Sequence, residues 1–247
     1  MKNRVRPCRC SVNYCRLHEK DGVVFDREYR MFGVRLTRCR ISDRVRRKQE
    51  TVMEESQLRQ FTDKARALGM DDARCVGVME LPIDPTLTDY CLECGAYGES
   101  ALCPPHRGAI DDVPKLLAGY EWAVVFKRDL PVVDLQSQEY HEVARQIHVV
   151  AAQLEKWARM RGFKAAGLAA GSCKRLFCAN SDSCQALEPG GVCRFPQWSR
   201  LSLSALGVNV FALCDKIGWP IEKITRDSSH PSDAMGVLVG ILLVGRK

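Results

Sequence analysis

The sequence predicts an α/β fold: a two-layer domain with one central sheet of about four strands, helices packed against it, and two cysteine-rich metal-binding loops. Three observations predict it. Segments with apolar residues every three or four positions alternate with short β-branched runs. Seven of the 13 cysteines fall into two loop-like clusters, Cys91, Cys94 and Cys103, then Cys173, Cys178, Cys184 and Cys193. A chain of 247 residues buries a core large enough to fold without crosslinks, so the cysteines are not needed as staples.

The elements follow in order. Leu58, Phe61, Ala65 and Leu68 recur at helical spacing over 54–68, and Gly69 is placed to end that helix. Val76, Val78 and Met79 make 74–81 a strand, which Pro82 and Pro85 stop before the first cysteine cluster. Residues 111–117 suit a short helix and 122–126 a buried strand. Over 138–161, Val143, Ile147, Val150, Leu154 and Trp157 share one face of a long amphipathic helix that Gly162 terminates. A small-residue strand over 165–170 leads into Gly171 and the second cluster. A helix over 208–217 and a strand over 237–244 complete the set.

The net charge of +7 is unevenly spread. Residues 1–52 carry 15 Lys/Arg against 6 Asp/Glu, which leaves 22 against 24 for the rest of the chain. The reading is therefore a basic N-terminal extension over 1–52, disordered or mis-assigned, and a cysteine-rich metal-binding α/β domain over 53–247. Cys8, Cys10, Cys15 and His18 are too irregularly spaced, and too crowded by arginine, to make a convincing zinc site. The tail lacks the interleaved aromatics on which single-strand binders stack bases, so nucleic acid is a disfavoured partner. The longest apolar run, 235–244, is short of a bilayer span and is broken by Gly236 and Gly240. The odd, bunched cysteines and an arginine-rich start without an apolar signal core favour a reducing cytoplasm.

In the second cluster the cysteines are separated by four, five and eight residues. Structural zinc sites favour two tight Cys-x2-4-Cys knuckles, and only the first pair here has that shape. A four-iron cluster accommodates the wider loops, with Lys174, Arg175 and Arg194 offsetting its negative charge. The first cluster joins a Cys-x2-Cys knuckle, Cys91 and Cys94, to Cys103. Its fourth ligand is open: His106, Cys75, Cys214, or none, in which case one iron is left to bind a small molecule. Glu139, His141, Glu142 and His148 fall among solvent-facing positions of the long helix, where a solvated polar face explains them better than a metal or acid–base group does.

The blocks CLECGAYGESALCPP and GSCKRLFCANSDSCQALEPGGVCRFPQWSRLSLSALGVNV resemble those of a prokaryotic family described as predicted metal-binding, cysteine-rich proteins. The resemblance covers roughly residues 55–245 and implies that Cys91, Cys94, Cys103, Cys173, Cys178, Cys184 and Cys193 are metal ligands. No nucleophile elbow, phosphate loop, dinucleotide fingerprint or His-Glu-x-x-His helix is present. The expectation is thus a protein with one or two iron–sulfur clusters, of the 4Fe–4S type, serving electron transfer or a redox step with a partner enzyme. The alternative is a zinc-binding module whose metals are structural and whose role is to bind a partner or nucleic acid. If the domain boundary is right, a chain beginning at Met53 retains the full metal content of the intact chain, as elemental analysis of the two proteins side by side will measure.

Overall fold

The computed structural model describes residues 23–31, 34–41, 43–107, 112–135, 137–221, 231 and 233–246, with side chains from residue 55 onward. Cys8, Cys10, Cys15 and His18 lie outside the described residues, as does Asp111. The chain divides into two compact units, Met1–Gln57 and Leu58–Lys247. In the first, strands β1 (Val23–Met31) and β2 (Val34–Ile41) pair antiparallel, with a register irregularity between Phe25 and Arg27. Helix α1 covers Asp43–Ala67.

The second unit is built on an open five-stranded sheet of order β3-β4-β7-β5-β6. Its strands are β3 (Asp72–Gly77), β4 (Trp122–Pro131), β5 (Lys164–Ala169), β6 (Leu201–Ser202) and β7 (Met235–Gly245). The pairs β3–β4, β4–β7 and β7–β5 are antiparallel, and only β5–β6 is parallel. Helices α2 (Tyr90–Glu93), α3 (Val113–Leu117), α4 (Val132–Leu135), α5 (Glu139–Met160), α6 (Cys173–Phe177) and α7 (Val210–Lys216) surround it.

The expected two layers are in fact three. Side chains alternate across a strand, so β4 sends Ala123 and Val125 to one core and Val124 and Phe126 to the other, all four fully buried. The α1 and α5 residues Phe61, Ala65, Ile147, Ala151 and Leu154 cover one face. The opposite face is covered by Val113 and Leu117 of α3, Leu203 and Leu206, Leu213 of α7, and Trp219. Short helices and 3₁₀ turns make up this second cover, and they are too brief for apolar periodicity to expose. The fifth strand was invisible for the same reason, since Leu201–Ser202 is only two residues long. The strand expected over 74–81 runs instead over Asp72–Gly77, and Val78–Glu80 turns into a 3₁₀ helix.

Two glycines set how closely these layers approach. A Cβ on Gly240 would lie 2.5 Å from the Phe126 ring, its partner in the neighbouring strand. One on Gly167 would lie 2.7 Å from the Ala151 carbonyl oxygen, so α5 rests directly on the β5 backbone. At the far end of the sheet, Asp72 accepts hydrogen bonds from Arg66 (2.9 Å), Trp219 Nε1 (2.9 Å), its neighbour's amide (2.7 Å) and Arg74. Burial pushes that carboxyl upward, but the donors outweigh burial and hold it at about 2.

His148 departs from expectation. Its side chain is not on a solvated face but completely buried. Nδ1 accepts the Arg200 amide at 3.1 Å, and Nε2 lies 3.2 Å from the Ala170 carbonyl oxygen. Nε2 therefore carries the proton and donates, which fixes the neutral tautomer. Burial lowers its pKa from 6.5 to about 4, against backbone hydrogen bonds that raise it. Nearby, buried Glu155 accepts the Gly167 amide at 2.9 Å and pairs with Arg200 Nε at 2.8 Å. Because the folded imidazole resists protonation and the unfolded one does not, the stability it contributes is complete above about pH 6.5 and is lost as pH falls toward 4. Denaturant titrations across that range should show the loss, and His148→Gln should flatten it.

Candidate metal centre

The first cysteine block is shaped by turns. A 3₁₀ helix over Pro85–Asp89, capped by Asp84, runs into α2, which carries Cys91 and ends at Cys94. Gly95 (φ 70°) then reverses the chain in the left-handed region that other residues adopt only at a cost. The Ala96 amide lies 3.4 Å from Cys94 Sγ, an N–H aimed at sulfur of the kind that stabilises a thiolate. The loop closes where the Gly98 amide donates to the Pro104 carbonyl at 2.8 Å, and this holds Cys103 against the knuckle.

The second block leaves the end of β5. Cys173 opens α6, Cys178 caps its end, and Cys184 caps a 3₁₀ turn over Gln185–Leu187. The two blocks meet through a crossed pair of contacts. Cys103 Sγ lies 3.5 Å from Ser172 Oγ, and Cys173 Sγ donates to Ser100 Oγ at 3.8 Å. Arg175 reaches back from α6 so far that a Cβ on Gly95 would lie 2.6 Å from its Nη2. Its Nε lies 3.8 Å from Glu99.

Cys91, Cys94 and Cys103 line one cavity of about 220 Å³. Tyr140 and His141 from the start of α5 complete its wall, with Ser172 and Arg175 of the second block. Burial raises the Cys91 thiol, and the charges of Cys94 and Cys103 raise it further against the pull of Arg107. Cys173 is pushed up to about 11 by burial, while Ser100 and Ser199 pull it down and Cys103 and Cys193 add to the rise. Cys91 and Cys173 thus resist ionising, a tendency that a bound cation reverses by favouring the thiolate.

Cys91, Cys94 and Cys103 share a cavity, and Cys173 meets the first block through Ser100. Cys193 Sγ lies 3.6 Å from Ser199 Oγ. Of the candidates for a fourth ligand to the first cluster, Cys214 is fully buried in one core, Cys75 packs against the other and lies 3.7 Å from the Leu58 carbonyl, and His106 is exposed. None of the three lines the cavity. Among the described residues, no three His, Cys, Asp or Glu side chains close to the separation that holds a single metal ion. The nine cysteines whose side chains are described are all free thiols.

Sequence reasoning did not find Ser100, Ser172 and Ser199 as thiol partners, or Tyr140 and His141 as cavity walls. A serine next to a cysteine carries no period or spacing that marks it, whereas the two aromatic residues do stand at the first turn of the long helix.

Fold and donors together define a mixed α/β protein with a thiol-lined cavity beside its β6 edge, the donor set that soft metal centres use. The chain belongs to the family of predicted metal-binding proteins called DUF2284, whose pattern matches residues 74–244. Among curated proteins and among solved structures, none matches it. No described helix is long and apolar enough to cross a membrane.

Ser100 is buried and also accepts the Leu102 amide at 3.2 Å. Ser100→Ala leaves that donor without its partner and removes one of the two serine hydroxyls at Cys173, and it should cost about 1–2 kcal/mol in equilibrium unfolding of the metal-free protein. The exposed Ser183→Ala should stay within about 0.5 kcal/mol of wild type.

Proposed function

We propose that Cys91, Cys94 and Cys103, with Cys173 as the fourth thiolate, hold an iron–sulfur cluster of the 4Fe–4S type that serves electron transfer or a redox step with a partner enzyme. The observation that carries this reading is the convergence of three thiols from one block on a single cavity, with a fourth thiol from the other block joined to it by the crossed Cys173–Ser100 and Cys103–Ser172 contacts. Membership of a family of predicted metal-binding proteins supports a metal there.

Two features favour a cluster over zinc. Structural zinc sites are closed, tetrahedral and tightly packed, whereas these thiols border a cavity of about 220 Å³, space that a bulkier group takes up. Arg175 and Arg107 stand close to the thiols, and positive charge of this kind offsets four thiolates and raises a cluster's potential. Such a cluster, when bound, takes up and releases one electron at a time. The protein's own part is to fix the thiolates on two interlocked turns, to aim the Ala96 amide at Cys94, and to limit water around the buried Cys91 and Cys173. Exposed Tyr90, Leu92 and Tyr97 flank the knuckle and offer a small apolar surface of the sort on which redox partners dock weakly.

Zinc remains the second reading, because Cys91-x2-Cys94 with its turn glycine and its N–H to sulfur is also the form of a zinc knuckle. In that case the metal is structural and the surface around the knuckle binds a partner. The remaining thiols, Cys178, Cys184 and Cys193, belong to a second centre if the metal content per chain exceeds one cluster.

Anaerobically purified protein should be brown and should contain iron and acid-labile sulfide in equal amounts. Cys103→Ser and Cys173→Ser should each lose most of both, with Cys184→Ser reporting on the second centre. Colourless protein loaded with zinc and free of sulfide would give the case to the structural-metal reading.

A further inference from the structure

The cavity beside Cys91, Cys94 and Cys103 has a lining whose chemistry the thiols alone do not explain. Among the described residues its lining holds no carboxylate. It does contain the Arg175 guanidinium, the His141 imidazole, and hydroxyls from Tyr140, Ser172, Ser202 and Ser204. Three separate parts of the chain bring these groups to the knuckle: the first turn of α5, the start of α6, and the β6 edge.

The donors stand in defined positions. Arg175 is held by its place on α6, with Nη2 lying over the Gly95 backbone. The Tyr140 hydroxyl lies against Gly171, whose missing Cβ would come within 2.9 Å of it. Burial raises that phenol, against the pull of Arg175, so it stays protonated and able to donate at neutral pH. Nδ1 of His141 is buried without a hydrogen-bond partner among the described residues.

Nearby acids do not cancel this positive character. Glu139 and Glu142 line the neighbouring cavity on the other side of Arg175 and His141, where Glu142 pairs with Arg145 at 2.5 Å and Glu139 takes a hydrogen bond from Ser137. Glu99, 3.8 Å from Arg175 Nε, is not part of the thiol-lined cavity. A closed electron carrier needs no guanidinium facing an opening next to its thiols. A site that receives a small anion beside a metal centre does.

We infer that this cavity binds a small carboxylate, anchored by Arg175 and bordered by His141, next to the centre that Cys91, Cys94 and Cys103 hold. Planar guanidinium is matched to a carboxylate through paired N–H donors, while the tyrosine and serine hydroxyls orient the remainder of the molecule. The part of this cavity of about 220 Å³ that the cluster leaves free suits a molecule of a few heavy atoms and excludes a nucleotide. The inference rests on the proposed centre for the ligand's nearness to metal, but not for its recognition by Arg175. The protein would then be a sensor or an enzyme for a small acid rather than a simple relay.

Malonate is the probe, with neutral malonamide as its control, titrated by calorimetry into the protein as purified, with metal content measured on the same preparation. Wild type should bind malonate and not malonamide. Arg175→Met should weaken malonate binding at least about tenfold. His141→Gln should weaken it by a smaller factor, and it keeps the test alive if Arg175→Met does not fold. Arg161→Met, at the opposite end of α5, should bind as wild type does. Failure of malonate to bind at about 10 mM, far above the affinity expected of a specific site, overturns the inference, as does equal binding by Arg175→Met and Arg161→Met. Metal without malonate binding removes this inference alone. Malonate binding by a chain that takes up no metal removes the proposed centre alone.

Discussion

One buried imidazole governs where the second cysteine block begins and ends. Ala170 precedes that block and Arg200 follows it, and His148 is bonded to the backbone of both. Glu155, two turns along the same helix, repeats the arrangement by pairing with the Gly167 amide and the Arg200 side chain. The intervening loop has little regular structure of its own, so its cysteines are placed chiefly by what happens at these two ends. Polar groups buried this deeply are tolerated only when every one is matched, and the matching is what makes the geometry single-valued.

The neutral state of His148 has a further effect. An imidazolium at that position would face a guanidinium, and Arg200 already contributes to lowering its pKa. The fold therefore depends on a histidine that stays uncharged, an arrangement that trades tolerance of acid for a rigid anchor. The distance from this anchor to the cavity is short along the chain: Ala170 is followed by Gly171 and Ser172, which both line it, and then by Cys173. Packing at the centre of α5 is thereby transmitted to the thiols.

At the meeting of the two cysteine blocks the structure joins what the sequence keeps more than 60 residues apart. Ser100 serves Cys173 and Ser172 serves Cys103, so neither block is shaped independently of the other. These contacts give the two cysteine blocks one cavity bordered by both, with Arg175 of the second block lying over the knuckle of the first.

The sequence by itself determined the long helix α5 and the second half of α1, the three longer inner strands and the concentration of chemistry in two thiol blocks. These are local properties, carried by apolar period, β-branched runs, turn glycines and ligand type, and each can be read from a short window. It could not determine that a two-residue strand closes the sheet, that both faces are covered, or that His148 lies inside. Helical position 148 falls beside Ile147 and Ala151 on a face whose limits depend on what packs against it, and the loop ending at Arg200 that buries it is distant in sequence. Only the tertiary structure decided which thiols share a cavity, because ligand grouping is a property of how loops cross, and crossing is set by the sheet beneath them.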